Sequence, residues 1–389
     1  IVNGKWLVPS QSGTGSYVVD TEERTCTCED HRSRLVKCKH LWSIEFQRRQ
    51  VTTPDGNTVV SEAMRVTYSQ DWPKYNRYQV EEKDRVRVLL RALCEGIVSP
   101  TERRRGRQRH ALADIVYAAT MKTFVGFSGR RAMTDLRDCN AMGFLSRVPS
   151  YNAIFDYLEK PEMTPLLMTL VQESAAPIAG IDHERDFGAD GTGISTQVFD
   201  RWRDDKHGDC NKKTYVKLHI MIGVRSKIIT AAIVTDGTKN DSPFLKPLMQ
   251  KTTERFCMQT VLADKGYIGM PNLTAIDQLG AKAYIPFREN NQGEGPELWR
   301  QLWHLYMFHR EEFNAHYHMR SNVEGVFSAL KRKFSPAVRA RSFDAMVNES
   351  LLKCLCHNLS VLVRVGQEMG LDAKFWRGPV ESASMERSA

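Results

Sequence analysis

The chain has 389 residues, 41% of them hydrophobic, with a formal net charge of +9 that favours a polyanionic partner, most simply nucleic acid. It holds no run of about 18 apolar residues, no leader-like start, no P-loop and no dinucleotide fingerprint, so neither a membrane partner nor a nucleotide cofactor is expected. Nine cysteines, an odd number in a long charged chain, fit a reducing compartment with free or metal-bound thiols better than a disulfide framework.

The chain starts at Ile1 rather than a methionine, so a preceding piece is expected to be missing. Residues 1–20 read as two short strands, "KWLV" and "SYVVD", split by the turn-rich "PSQSGTGS". Next comes Cys26-x-Cys28-x9-Cys38-x-His40, four soft or borderline ligands close together. Zn²⁺ takes such a Cys₃His set tetrahedrally and closes small units of this kind. The pattern, with strands before it and the helix "HLWSIEFQRR" after it, resembles a SWIM-type zinc finger, a small ββα unit over residues 1–50. One zinc ion at Cys26, Cys28, Cys38 and His40 is expected there. SWIM fingers are associated with DNA or protein binding, and the mixed local charge leaves both open.

Residues 51–75 are polar and Pro/Gly-punctuated and read as a linker. From 76 to 178 apolar residues recur three or four apart, as in "EEKDRVRVLLRALCEGI", "LADIVYAATMKTFVG" and "PLLMTLVQESAAPI", which predicts an all-α region. Within it "ERRRGRQRH" carries Arg103, Arg104 and Arg105, which could track DNA phosphates; the bland alternative is a solvated basic linker. "SYNAIFDYLE" and the helix before it could form a helix-turn-helix, though packing explains them equally well.

Past residue 180 the pattern turns β-rich. "FGADGTGIST", "YVKLHIMIGV" and "KIITAAIVTD" are successive strands; "SPFLKPLMQKTTERF" is a helix with Asp241 as N-cap and Pro243 in its first turn. "QTVLAD" and "AKAYIPF" are further strands, with "PNLTAIDQLG" a helix between them. The loop "RENNQGEGP" leads into a helical region to about 333, and a last helix covers "FDAMVNESLLKCLCHNLSVLVRVG". The tail, 366–389, reads as disordered. This β-β-β-α-β-α-β-α order predicts an α/β domain over 179–365, a mixed β-sheet flanked by helices.

Asp190 lies inside the first of these strands, Asp264 ends the fourth, and Glu324 sits on a late helix. The first and fourth strands can be neighbours, which would bring the carboxylates together. Convergent carboxylates repel unless cations are bound, and hard oxygen ligands suit Mg²⁺ or Mn²⁺. Each also has a bland reading: "DG" at 190–191 as a hairpin turn, "DKG" at 264–266 as a strand-end turn, Ser321 with Glu324 as a capping box. In "YHMRSNVEGVFSALK", Tyr317, Arg320, Glu324 and Lys331 would share about 60° of a helix face at roughly 100° per residue.

These residues resemble the DDE-type transposases of prokaryotic insertion sequences. Residues 317–331 match the Y-x2-R-x3-E-x6-K signature position for position, and "ADGTG" and "LADKGY" look like the sites of the two catalytic aspartates. The resemblance covers about 180–365 and, less specifically, the helical part including "GRRAMTDLRD". It implies an RNase H-like fold with Asp190, Asp264 and Glu324 as catalytic residues holding two Mg²⁺ or Mn²⁺ ions. It also implies nicking of element ends and attack of the freed 3′-OH on target DNA, with a homodimer on double-stranded DNA in a prokaryotic cytoplasm, associated with the nucleoid. Lys331 would hold a DNA phosphate, and Arg320 and Tyr317 would contact terminal phosphates or orient Glu324. Some relatives carry a large β-rich insertion between the second aspartate and the glutamate; here only a short helical insertion at about 288–312 is expected. Its Trp299 and Trp303 could stack on an extruded base or, by their spacing, pack in a core.

Two other readings stand beside a transposase: a catalytically silent DNA-binding descendant acting as regulator, and a protein-interaction module built on the finger. The complete carboxylate set with Lys331 disfavours the regulator. Cys354, Cys356 and His357 point apart on their helix and are not expected to bind metal. Cys94, Cys139, Cys210 and Cys257 read as small core residues. His219, beside Lys217, either faces the cleft or is structural.

Overall fold

The computed structural model describes residues 5–9, 15–34, 37–52, 58–62, 72–98, 109–180, 184–196 and 215–376. The chain divides into two compact units, Ile1–Asp71 and Trp72–Ala389.

In the first unit β1 (Trp6–Pro9), β2 (Ser16–Asp20) and β3 (Thr25–Cys26) form an antiparallel sheet in that order. Helices Glu29–Arg34 and Lys39–Gln47 follow. Val19, Leu41 and Ile44 bury themselves with Cys26, Cys28 and Cys38, so the cysteines are part of the core. The helix expected to run through Arg49 ends at Gln47, and part of the expected linker is a hairpin of β4 (Arg48–Thr52) and β5 (Thr58–Glu62). Val51, Thr52, Thr58, Val59 and Val60 are β-branched, and stiff branched side chains suit a pleated surface better than a helix.

The second unit begins with helices Trp72–Cys94, Leu112–Val125, Gly129–Ala141, Tyr151–Leu158 and Met163–Ala179, the expected all-α region, starting at Trp72 rather than near 76. A five-stranded sheet follows: β6 (Asp186–Ser195), β7 (Tyr215–Gly223), β8 (Ile229–Asp236), β9 (Thr260–Leu262) and β10 (Lys282–Tyr284), in the order β10-β9-β6-β7-β8. The β6–β7 and β7–β8 pairs are antiparallel, and the β6–β9 and β9–β10 pairs are parallel. This is a mixed sheet flanked by helices, consistent with the RNase H-like fold.

Period-two alternation sorts β6 between two cores. Phe187 and Ala189 face one side, where Leu245, Leu248 and Phe256 pack. Gly188 faces the other, against the helix Ser321–Phe334. A Cβ on Gly188 would sit 2.5 Å from Val323 Cγ2, so this close approach requires glycine. Val323, Val326, Phe327, Leu330 and Phe334, spaced three or four apart, form the buried stripe of that helix.

The helix Phe343–Met369 runs through the interior of the unit. Its Asn358 side chain accepts from Ile229 N at 2.8 Å and donates to Ile229 O at 2.7 Å and Ser174 Oγ at 2.9 Å, tying β8 to the helix Met163–Ala179. The neighbouring His357 donates Nε2–H to Lys227 O at 2.9 Å, and burial drives its imidazole down to about 4 from an ordinary 6.5. The unfolded chain protonates this ring below about 6.5, whereas the folded one resists to about 4. Its stabilising contribution is therefore complete above 6.5 and is lost as pH falls from there to about 4. His357→Gln, which can keep the donor, is expected to lose less stability than the wild type between pH 7 and pH 5 in urea titrations. Equal losses would remove this role for His357.

Candidate active site and metal cluster

Asp190 sits within the β6 ladder, opposite Ile220, with Gly191 opposite His219; the Asp-Gly pair is strand, not a hairpin turn. The parallel β6–β9 register pairs Gly188 with Leu262. Continued along both chains, it sets Asp264 level with Asp190. Asp264 caps the 3₁₀ turn Lys265–Tyr267, its Oδ1 accepting from Gly266 N at 2.8 Å, so the turn also uses this carboxylate.

Glu324 comes from the first turn of Ser321–Phe334, with its side chain 61% exposed. No capping box forms. Arg320, just before the helix, already has helical backbone angles, and Ser321 Oγ donates to His318 O at 2.9 Å. The 3₁₀ turn His318–Arg320 joins this helix to Arg310–Tyr317, so the path is continuous but not one regular helix.

Arg320 ties the site together. Its Nη1 donates to Asp190 Oδ2 at 2.8 Å and its Nη2 to Glu324 Oε1 at 2.9 Å. Burial pushes the Asp190 carboxyl up and Asp264 adds to the rise, against the opposing effects of Gly191 N–H and Arg320. Such a pair of neighbouring carboxylates calls for positive charge, and a guanidinium already stands beside it. The donor set therefore fits hard divalent cations such as Mg²⁺ or Mn²⁺.

Tyr317 stacks on Phe313 at 5.4 Å and lies beside Arg320; burial raises its phenol. Lys331 donates to Thr192 Oγ1 at 2.7 Å, and burial lowers its ammonium. Thr192 shares the face of β6 that carries Asp190. Asp190, Tyr317, Arg320, Glu324 and Lys331 thus meet where Ser321–Phe334 crosses β6, with Asp264 on the next strand. Arg103, Arg104 and Arg105 lie outside the described residues.

Other polar groups crowd the opposite face of β6. Asp241, expected to cap a helix, makes no cap; its Oδ2 accepts from Lys217 Nζ at 2.8 Å and its Oδ1 lies 3.0 Å from His219 Nδ1. His219 is fully buried, 3.0 Å from Thr235 Oγ1 and stacked on Phe244 at 4.3 Å. Lys217 and His219 alternate on one strand, which places both on one face; their convergence on Asp241 had no comparable signal.

The predicted insertion is two helices, Glu297–Phe308 and the Arg310–Tyr317 helix. Trp299 and Trp303 each pack on Phe287 at 4.8 Å, and Trp299 Nε1 donates to Gln292 O at 2.7 Å. Both indoles take the packing role.

In the first unit the ligand atoms of Cys26, Cys28, Cys38 and His40 lie within 4.8 Å of one another, all four residues buried. Cys26 Sγ and Cys38 Sγ are 3.6 and 3.9 Å from His40 Nδ1. A tetrahedron with Zn–S near 2.3 Å and Zn–N near 2.0 Å has edges of about 3.5–3.8 Å, so this cluster could hold zinc. Tyr17 stacks on His40 at 4.6 Å and holds the ring in place. No second cluster of this kind occurs among the described residues. Cys354 and Cys356 are buried along their helix; Cys94 and Cys139 are core residues as expected, Cys257 is exposed instead, and Cys210 lies outside the described residues.

Residues 184–359 match the family model described as the transposase DDE domain. The match runs from just before β6 into the helix Phe343–Met369, and it supports a DDE-type transposase, a class of DNA-acting, metal-dependent enzymes. No curated protein and no solved structure matches the chain.

Proposed function

We propose that the protein is a DNA transposase that cuts the ends of an insertion sequence and joins the freed 3′-OH to target DNA. The observation that carries this reading is Arg320 bridging Asp190 and Glu324, with Asp264 at the same level on the adjacent strand. Asp190, Asp264 and Glu324 would hold two Mg²⁺ or Mn²⁺ ions, which supply activation of the attacking oxygen and stabilisation of the leaving one. Lys331, lightly held by a threonine hydroxyl, would pass to a DNA phosphate. Arg320 has five donors in a planar fork and would hold a terminal phosphate while orienting Glu324, with Tyr317 beside it.

In the first step water attacks a phosphorus and the 3′-oxygen leaves, carrying a proton. In the second, that 3′-OH attacks a target phosphodiester, one P–O bond replacing another, so no nucleotide cofactor is required. Residues 76–178, with Arg103, Arg104 and Arg105, would hold element ends, and two copies of the chain would pair on the DNA. The 1–50 unit would bind one zinc ion and contact DNA or a protein partner. The work would take place on the nucleoid of a prokaryotic cytoplasm.

The test is strand joining by the full chain. The substrate is a duplex carrying the DNA that flanks its coding sequence, with supercoiled plasmid as target and Mg²⁺ or Mn²⁺ present. Joined products are expected. Cleavage without joining would make the protein a nuclease, and no metal-dependent breakage in either DNA would overturn both.

A further inference from the structure

Tyr267 closes the 3₁₀ turn that Asp264 caps and is fully buried. Its hydroxyl has no hydrogen-bond partner in the protein. A buried phenol almost always finds one, because leaving it unpaired costs about 1–3 kcal/mol. Burial keeps this phenol protonated, and the carboxylates of Asp241, Asp190 and Asp264 all push it the same way. The hydroxyl is therefore a standing donor among three negative groups.

The backbone around it is tightly held. Asn272 Nδ2 donates to Tyr267 O at 2.8 Å and to Ser242 Oγ at 3.0 Å, clamping the turn after Asp264 to the segment after Asp241. Two more buried atoms lack partners, Asp241 Oδ1 and His219 Nδ1. They press against Gly191, where a Cβ would lie 2.1 Å from Asp241 Oδ1, beside the Asp190 backbone. Thr235 hydroxyl donates to Asp236 O at 3.1 Å, so it accepts from His219 Nε2. A neutral His219 ring then offers only an acceptor at Nδ1. The pocket behind Asp190 thus holds acceptors in need of a donor, and one donor in need of an acceptor.

We propose that Tyr267 is a positioning residue of the active site, its hydroxyl donating into the Asp190–Asp264 carboxylate cluster and fixing the orientation in which those carboxylates take metal. The inference rests on the metal-binding reading of Asp190, Asp264 and Glu324. Groups that orient metal ligands typically change metal affinity 10–100-fold when lost, whereas a hydroxyl with a purely structural role changes stability instead.

The experiment compares the full-length wild type with Tyr267→Phe. Thermal unfolding is followed before any Mn²⁺ is added, then Mn²⁺ affinity is measured by titration calorimetry, and plasmid cleavage across a Mn²⁺ series. The variant is expected to melt at or above the wild-type temperature, bind Mn²⁺ about tenfold more weakly, and recover cleavage at high Mn²⁺. Unchanged affinity would overturn the role. So would weaker binding accompanied by a lower melting temperature, which would mark the hydroxyl as structural. An Asp264→Asn chain that binds Mn²⁺ like the wild type would overturn the metal reading itself, and this role with it.

Discussion

Glu324→Gln is expected to abolish Mg²⁺-dependent DNA breakage, by more than about a hundredfold, while the protein stays folded. The side chain is 61% exposed and its hydrogen bond is to Arg320, 2.9 Å away, so losing one charge costs little stability. Gln keeps the length and can still accept from Arg320, but it cannot bind a divalent ion as a carboxylate does. Asp190 would retain its own bond to Arg320. Circular dichroism should therefore superimpose on the wild type, Mn²⁺ affinity should fall, and plasmid cleavage should disappear. A variant that cleaves within a few-fold of the wild type would sink the assignment of Glu324 to the metal site. Unfolding would instead mean that the ion pair with Arg320 braces the helix start, contrary to its exposure.

Much of this centre is readable in the chain because its residues sit on elements with clear periods. The strands around Asp190 and Asp264 are short apolar runs in an order that lets the first and fourth pair. The ladder that sets the two aspartates level is a tertiary property, and so is the side of the sheet each faces. The same limit explains Ser321 and Glu324, whose spacing fits a capping box. A cap needs a non-helical residue before it, and here the chain enters from a helical turn with Arg320 drawn to Asp190. Asp241 gives a cap-like signal because it precedes Ser-Pro, yet Lys217 and His219 on β7 claim its carboxylate. Tyr267 carries no signal of its own beyond standing after Asp-Lys-Gly, because an unpartnered hydroxyl is visible only once its surroundings are assembled. In the first unit the ligand spacing stands out, while β-branched residues on either side of a Pro-Asp-Gly turn were outweighed by their polar neighbours.

Cys38→Ser, or removal of zinc by a chelator, is expected to unfold the Ile1–Asp71 unit and leave Trp72–Ala389 folded. Three of the six fully buried side chains of that core are cysteines, and only Val19, Leu41 and Ile44 complete it. Units below about 70–80 residues seldom stand on so small an apolar core without a metal or disulfides. Structural zinc contributes about 10–16 kcal/mol in small domains, so its loss exceeds any stability this core could supply alone. Without metal, burial pushes the Cys26 thiol up to about 12, so neighbouring thiols stay protonated. Zinc must displace those protons, and its affinity should therefore fall as pH is lowered. Native mass spectrometry of the wild type should show one zinc, and limited proteolysis of the Cys38→Ser chain should remove the first unit and spare the second. A variant that resists protease without zinc would refute the metal as the unit's support. The same chain then assigns the partner. Shifted element-end DNA lost together with zinc would make the unit a DNA clamp, whereas DNA binding retained by the second unit would turn it toward a protein.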